Sequence, residues 1–403
     1  MSIKRKIISC AAALALAATS AVTLSGCADV SYACVIDGET IPAGVYILYS
    51  GYALNDAENK LAEEQPDLDT SAEGFDYYAQ TVSGMSFGEY VKQETVNYCK
   101  RYVAINRMFD ELGIQFEATE RENITDNINN QWDYSVSDWT TYLTYLKGFS
   151  TLGDYYQSIG VAKSSYREVL TTGSKSNEIF DYYYGEGGVE EVPHSEIEDY
   201  VEENYTLARY FAISLNDSEG ELIEDEAELK VLEELANSYA DKLNNGDSYA
   251  EVYKQYQDYL NADDEDTDGE EKEEEEHEDS EYDRIIGVKS TSPSEEFVEA
   301  LFKQDYGTAA VFKADTYYYV VQRLDITENE EYVDDYKDIA LDALKGDELD
   351  GVFEAKYADY SVKTNSSAPD YARQQADNAR QGLSTINAIQ YYSYYSSLFS
   401  SSY

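Results

Sequence analysis

The chain has 403 residues, and its 81 acids against 29 bases give a formal charge of −52. Acidity of this order repels nucleic-acid phosphate, so a DNA- or RNA-binding role is excluded as an expectation. A hydrophobic fraction of 43% with only 5 Pro excludes a wholly disordered chain. At roughly 100–200 residues per domain the length predicts two or three modules. Two His in the whole chain leave little material for imidazole catalysis or a zinc site, and the 41 Tyr supply amphipathic rings.

Lys4, Arg5 and Lys6 precede an apolar stretch reaching Leu24, and the stretch ends Leu24-Ser25-Gly26-Cys27. It is too short for a good membrane span and ends in small residues, as a secretory signal does. The Leu-Ser-Gly-Cys end is similar to the bacterial lipobox. Cys27 is therefore the expected first mature residue and lipid-attachment site, with residues 1–26 as the signal peptide. The expected location is extracytoplasmic, held to the membrane by the lipid. Cys34 and Cys99 remain, and spacing alone leaves a bridge and two free thiols both open.

Val35–Glu39 reads as a short strand closed by an Asp-Gly turn, and Pro42 opens a helical pattern running to Glu64. Residues 65–85 are polar and read as a loop. From Phe87 to Leu112, the residues Tyr90, Val91, Tyr98, Tyr102, Ile105, Phe109 and Leu112 recur at helical spacing, and Gly113 is placed to end the helix. This tyrosine stripe is expected in a core rather than on a client-binding face. Thr119 and Glu122 predict a capping box for the next helix. Helices are then expected over Trp139–Gly148 and Ser164–Tyr184, before the break at Gly185, Gly187, Gly188 and Pro193.

After the break the pattern is mixed. It predicts helices at Ser195–Tyr205, Glu226–Leu243, Tyr249–Leu260 and Phe297–Phe302. Strands are predicted at Leu207–Leu215 and Thr316–Leu324. Asp263–Glu281 is nearly all acidic and is expected to be solvated. Asp264, Asp266, Asp268, Gly269 and Glu275 meet the EF-hand spacing, but Glu271 stands where an apolar residue normally packs, so no metal site is assigned. Tyr336–Tyr360 returns to helix, and the chain from Asn365 to Tyr403 is Ser/Tyr-rich.

Taken in order, several segments resemble the PrsA- and SurA-like extracytoplasmic foldases, which carry a parvulin-type prolyl isomerase domain. They are the Val35–Glu39 strand, the run Tyr102–Ile114, Gly160, Ser165-Tyr166-Arg167 and Tyr182–Gly185. Ala208–Ile213, Leu243–Tyr249, Tyr317–Val321 and Tyr360–Lys363 continue the likeness. The resemblance implies an α+β fold, a mostly helical chaperone domain from both chain ends with an inserted parvulin-like domain. The implied boundaries are 27–190, 191–328 with an acidic insert at 262–281, 329–365, and a tail at 366–403. It also implies unfolded or newly secreted proteins as partners, membrane association through the lipid anchor, and no cofactor.

Active parvulins place a His on the first strand and another on the last. Here those seats fall to Tyr210 and Tyr319, while His194 and His277 lie elsewhere, and Pro293 takes the place of the usual groove Met. Phe297 and Phe302 are the remaining apolar candidates, so the substrate-groove set is Tyr210, Phe297, Phe302 and Tyr319, with no catalytic residue assigned. Prolyl isomerisation crosses about 18–20 kcal/mol of amide twist without a covalent step. A groove with phenols in place of imidazoles is expected to bind rather than to catalyse. The alternatives are an active isomerase, and a surface adhesin or assembly protein reusing the fold.

Overall fold

The structure is a computed structural model that describes residues 32–72, 74–136, 148–217, 219–261 and 277–365. The expected signal peptide and lipid-attachment residue Cys27, the EF-hand-like spacing at 264–275, most of the helix expected at Trp139–Gly148 and the tail 366–403 lie outside the described residues. The first part of the chain forms β1 (Cys34–Ile36), β2 (Glu39–Ile41), α1 (Ala43–Glu64), β3 (Thr81–Val82), β4 (Met85–Ser86) and α2 (Phe87–Leu112). It continues through α3 (Ala118–Trp132), α4 (Leu152–Ser158) and α5 (Lys163–Tyr184). The middle forms α6 (His194–Asn204), β5 (Tyr205–Ser214), α7 (Glu226–Asn244), α8 (Tyr249–Asn261), β6 (Arg284–Gly287), α9 (Glu295–Lys303), β7 (Ala309–Ala314) and β8 (Tyr317–Leu324). α10 (Glu330–Asp335), α11 (Lys337–Tyr357) and β9 (Val362–Thr364) follow. The fold class is α+β.

The chain divides into two units, one from both ends (to Tyr182 and from Leu349) and one spanning Tyr183–Glu348. The two-ended unit is mostly helical. In it β1 pairs antiparallel with β2 and with β9, Val35 facing Thr40 on one side and Lys363 on the other. Asp37 and Gly38 both take positive φ in the connecting turn, as the Asp-Gly pair predicted. α2 starts on a capping box at Ser86 and Glu89 and ends on Gly113 with φ 74°, a left-handed geometry that glycine adopts without strain. Val91, Ile105 and Phe109 of its expected stripe are buried with Val103 beside them, whereas Tyr90, Tyr98, Tyr102 and Leu112 are half-buried. Arg101 binds Asp350, and Lys356 binds Glu111 at 2.5 Å, so the C-terminal end of α11 is tied to α2 within this unit.

Cys34 and Cys99 are free, buried thiols. A hydrogen bond joins them; it holds Cys34 below the ordinary thiol range, whereas burial pushes Cys99 well up. α3 begins two residues before the expected Thr119 box. The Glu120 carboxylate accepts from the Glu117 N–H at 3.2 Å, Arg121 donates to the Phe116 carbonyl, and Phe116 packs on Phe109 at 5.0 Å. These contacts fix the chain's entry angle where local propensity alone favoured threonine.

The second unit is built on a four-stranded antiparallel sheet in the order β6-β5-β8-β7. Two of its strands, β6 and β7, carried no sequence expectation. The register runs Leu207↔Leu324 to Ser214↔Tyr317 between β5 and β8. Alternation sends Phe211 and Ile213 to one face, where Ala236, Tyr239, Leu243, Val252 and Tyr256 of α7 and α8 cover them. Ala208 and Tyr210 go to the other face, against Phe297, Val298 and Leu301 of α9. Helices therefore cover both faces.

Candidate functional site

The residues named from sequence converge on the α9 face of this sheet. Tyr210 lies opposite Val321, and Tyr319 lies opposite Ala212, so the two tyrosines are diagonal neighbours on adjacent strands. Their ring centroids stand 6.2 Å apart, edge to face. α9 lowers Phe297 onto both, with centroids 4.9 Å from Tyr210 and 4.9 Å from Tyr319. The helix that delivers Phe297 is capped by Ser294, whose hydroxyl accepts from the Phe297 N–H at 3.2 Å, and its apolar stripe of Phe297, Val298 and Leu301 is buried. The spacing that makes α9 amphipathic thus also positions its aromatic ring.

Phe302 packs against the same cluster from the end of α9, and the Arg323 guanidinium lies 5.4 Å from its ring. Arg323 is buried; it donates to the Phe302 and Gln304 carbonyls and to the Thr206 hydroxyl, and stacks on Tyr306 at 4.1 Å. A guanidinium so fully bonded anchors the end of α9 to β5 and β8. Phe302 therefore sits at the margin of the cluster, while Tyr210, Phe297 and Tyr319 form its centre.

Phe297 is fully buried, Tyr319 is 5% exposed and Tyr210 is half-buried. Burial, reinforced by the nearby Asp315 carboxylate, pushes the Tyr319 phenol above its ordinary range, so it stays protonated at neutral pH. Neither Tyr210 nor Tyr319 bonds another group through its hydroxyl among the described residues. The arrangement sets the half-buried Tyr210 ring against two buried rings, carries two phenol hydroxyls and supplies no nucleophile. Neither imidazole joins it: His194 pairs with Glu198, and His277 pairs with Glu281. Pro293 precedes α9 through a cis Ser292–Pro293 bond.

Sequence reasoning did not single out a second group of aromatics at the β6 side of β5. There Tyr249, Tyr253 and Tyr256 of α8, with Tyr282, line a cavity of about 320 Å³ that Tyr210 also borders. The signal was present as tyrosines four and then three residues apart on one helix.

No protein-family model matches the chain, and no curated protein does. Among solved structures, the chain is similar to the foldase protein PrsA from Lactococcus lactis. The identity there is 13%, covering 86% of this chain and 98% of that one with a TM-score of 0.32. The foldase protein PrsA from Streptococcus pneumoniae matches at 13% identity, over 72% of this chain and 92% of its own, with a TM-score of 0.31. PrsA from Bacillus subtilis matches at 15% identity over 73% and 89%, with a TM-score of 0.21.

Proposed function

We propose that the protein is an extracytoplasmic, lipid-anchored chaperone that binds unfolded secreted proteins, with a parvulin-like domain serving as a binding surface rather than an isomerase. The observation that carries the reading is the Tyr210–Phe297–Tyr319 cluster. Three rings from β5, α9 and β8 meet on one face of a sheet in the order β6-β5-β8-β7, and two of them are the residues that the sequence resemblance sets against the imidazoles. An open aromatic ring, as Tyr210 offers, holds apolar and proline side chains without regard to sequence, which suits a binder of many clients. A phenol, with its ordinary pKa near 10, cannot exchange protons near neutrality as an imidazole does. The Leu24–Cys27 lipobox supports the location, and no helix among the described residues is long and apolar enough to cross a membrane.

The test uses the chain without its signal peptide. It is expected to delay aggregation of a chemically denatured client, and to leave the rate of a proline-limited refolding reaction at its uncatalysed value. A chain that fails to delay aggregation contradicts the chaperone reading. Acceleration within the range of active parvulins contradicts the assignment of the groove to binding alone.

A further inference from the structure

β5 has ten residues, but β6 covers only four of them, from Tyr205↔Gly287 to Ala208↔Arg284. Before Arg284 the chain leaves the sheet as a 3₁₀ turn at Asp279–Tyr282. Arg209 pins that turn, bonding Asp283 through Nε at 2.6 Å and Asp279 through Nη1 at 3.1 Å. Asp279 also accepts from the Ser248 hydroxyl and the Ala250 N–H at the start of α8. The departure from the sheet is therefore built in, and β5 beyond Arg209 has no strand on its β6 side among the described residues.

The ladder tells which backbone groups face that gap. Val288 N–H donates to the Asn204 carbonyl across the β6 side, and Leu215 N–H donates to the Thr316 carbonyl across the β8 side. Even-numbered residues of β5 thus point their backbone groups toward β6, and odd-numbered ones toward β8. Tyr210 and Ala212 are even. The Ala212 carbonyl accepts from the Tyr256 hydroxyl at 2.6 Å. The N–H and C=O of Tyr210 and the N–H of Ala212 have no partner among the described residues.

The tyrosine-lined cavity borders this bare edge, and its volume of about 320 Å³ lies at the lower end of ligand-sized sites. Leu260, on its rim, is 51% exposed. An unpaired strand edge is a template for another extended chain, and a side pocket beside it selects one side chain of that chain. The lining itself carries one charge, the Arg284 guanidinium, whereas the chain as a whole carries −52, so its long-range field sets the sign of the visitor.

We infer that the β6-side edge of β5 at Tyr210 and Ala212, with the pocket of Tyr249, Tyr253, Tyr256 and Tyr282, is a strand-addition site. Its occupant is an extended, cationic polypeptide segment that places one aromatic or large apolar side chain in the pocket. The inference rests on the client-binding reading above and adds to it a second site, of backbone recognition, on the edge rather than the α9 face of the same sheet. Backbone bonding is indifferent to client sequence, whereas the pocket and the charge favour basic segments with bulky residues.

The experiment measures binding of a fluorescent ten-residue peptide of alternating Phe and Lys to the full chain without its signal peptide. Two further peptides carry the same side chains, with N-methyl groups on alternate amides in one register or the other. Strand addition predicts that one register loses about tenfold or more in affinity while the other stays within about twofold. It also predicts a loss of about fivefold or more in Leu260→Gln, a rim change that removes the apolar contact while leaving charge and the fold's core untouched. Equal affinities in both registers, no effect of Leu260→Gln, or no binding of the parent peptide would each overturn the inference. Aggregation suppression by the unmodified chain separates the two proposals. If it persists while the registers bind alike, the edge site fails alone; if it is absent, the client-binding reading fails.

Discussion

Two groups of tyrosines in this chain are spent in different ways. In the helical unit, Tyr49 stacks on Tyr98 at 5.7 Å, the Tyr98 hydroxyl donates to Asp56 at 2.5 Å, and the Tyr102 hydroxyl donates to Glu168 at 3.3 Å. On the α9 face of the sheet, Tyr319 packs edge to face and Tyr210 tilted on Phe297, and neither bonds through its hydroxyl among the described residues. The first group closes a core, since a buried polar tip must find a partner. The second has rings held by packing and donors left for something else. Composition shows both groups as one abundance of tyrosine; only the partners of the hydroxyls separate them.

The contrast breaks most sharply at a core ring. Tyr166 is 1% exposed, packs tilted against Trp132 and Tyr156, and donates to Gln131 at 2.7 Å. Tyr166→Ala is expected to cost about 3–5 kcal/mol in a urea melt. A loss below about 1 kcal/mol would mean that this cluster is not a core. Next comes the tied hydroxyl: Tyr98→Phe strips a charged acceptor of its donor, and a loss of about 1–2 kcal/mol is expected. If Tyr319→Phe costs as much as Tyr98→Phe, the hydroxyls of the two groups do not differ. The expected cost for Tyr319→Phe is below about 0.5 kcal/mol, accompanied by weaker holding of a denatured client.

A pH-dependent effect sharpens the helical unit's own electrostatics. Glu178 on α5 is pushed up to about 7 by burial, by a hydrogen bond with Glu120 on α3 and by the charges of Glu120, Asp181 and Glu117. Its ordinary value is 4.5, so the folded chain keeps a proton that the unfolded chain has released. The stability this contributes is full below pH 4.5 and is lost as pH rises through about 7. Solvent screening of a partly exposed pair reduces the effect to about 1 kcal/mol. The stability of wild type relative to Glu178→Gln is therefore expected to fall across that window in paired melts. A flat difference would show that Glu178 and Glu120 do not share a proton.

The helices were legible where caps and period agreed. Gly113 ended α2 as its sequence position required, and the Tyr/Val run 317–321 announced β8 because β-branched and aromatic residues dominate it. β6 was hidden because Arg284–Gly287 is four residues long and follows the acidic run. β7 was hidden because Ala309–Ala314 has no strong alternation. Their pairing is set by the sheet, not by local preference. The meeting of Tyr210, Phe297 and Tyr319 followed from strand alternation and an amphipathic helix, both visible in the sequence. The bare edge of β5 did not, because it depends on where β6 stops, and that is decided by Arg209 reaching Asp279 and Asp283 across some seventy residues of chain.

Radical footprinting of side chains, with and without a saturating denatured client, tests the central claim most directly. The account predicts that labelling of Tyr210, the most open ring of the cluster, falls when the client is bound, while labelling of Tyr98 in the helical unit is unchanged. Undiminished labelling of Tyr210 under conditions where the client is held would contradict it.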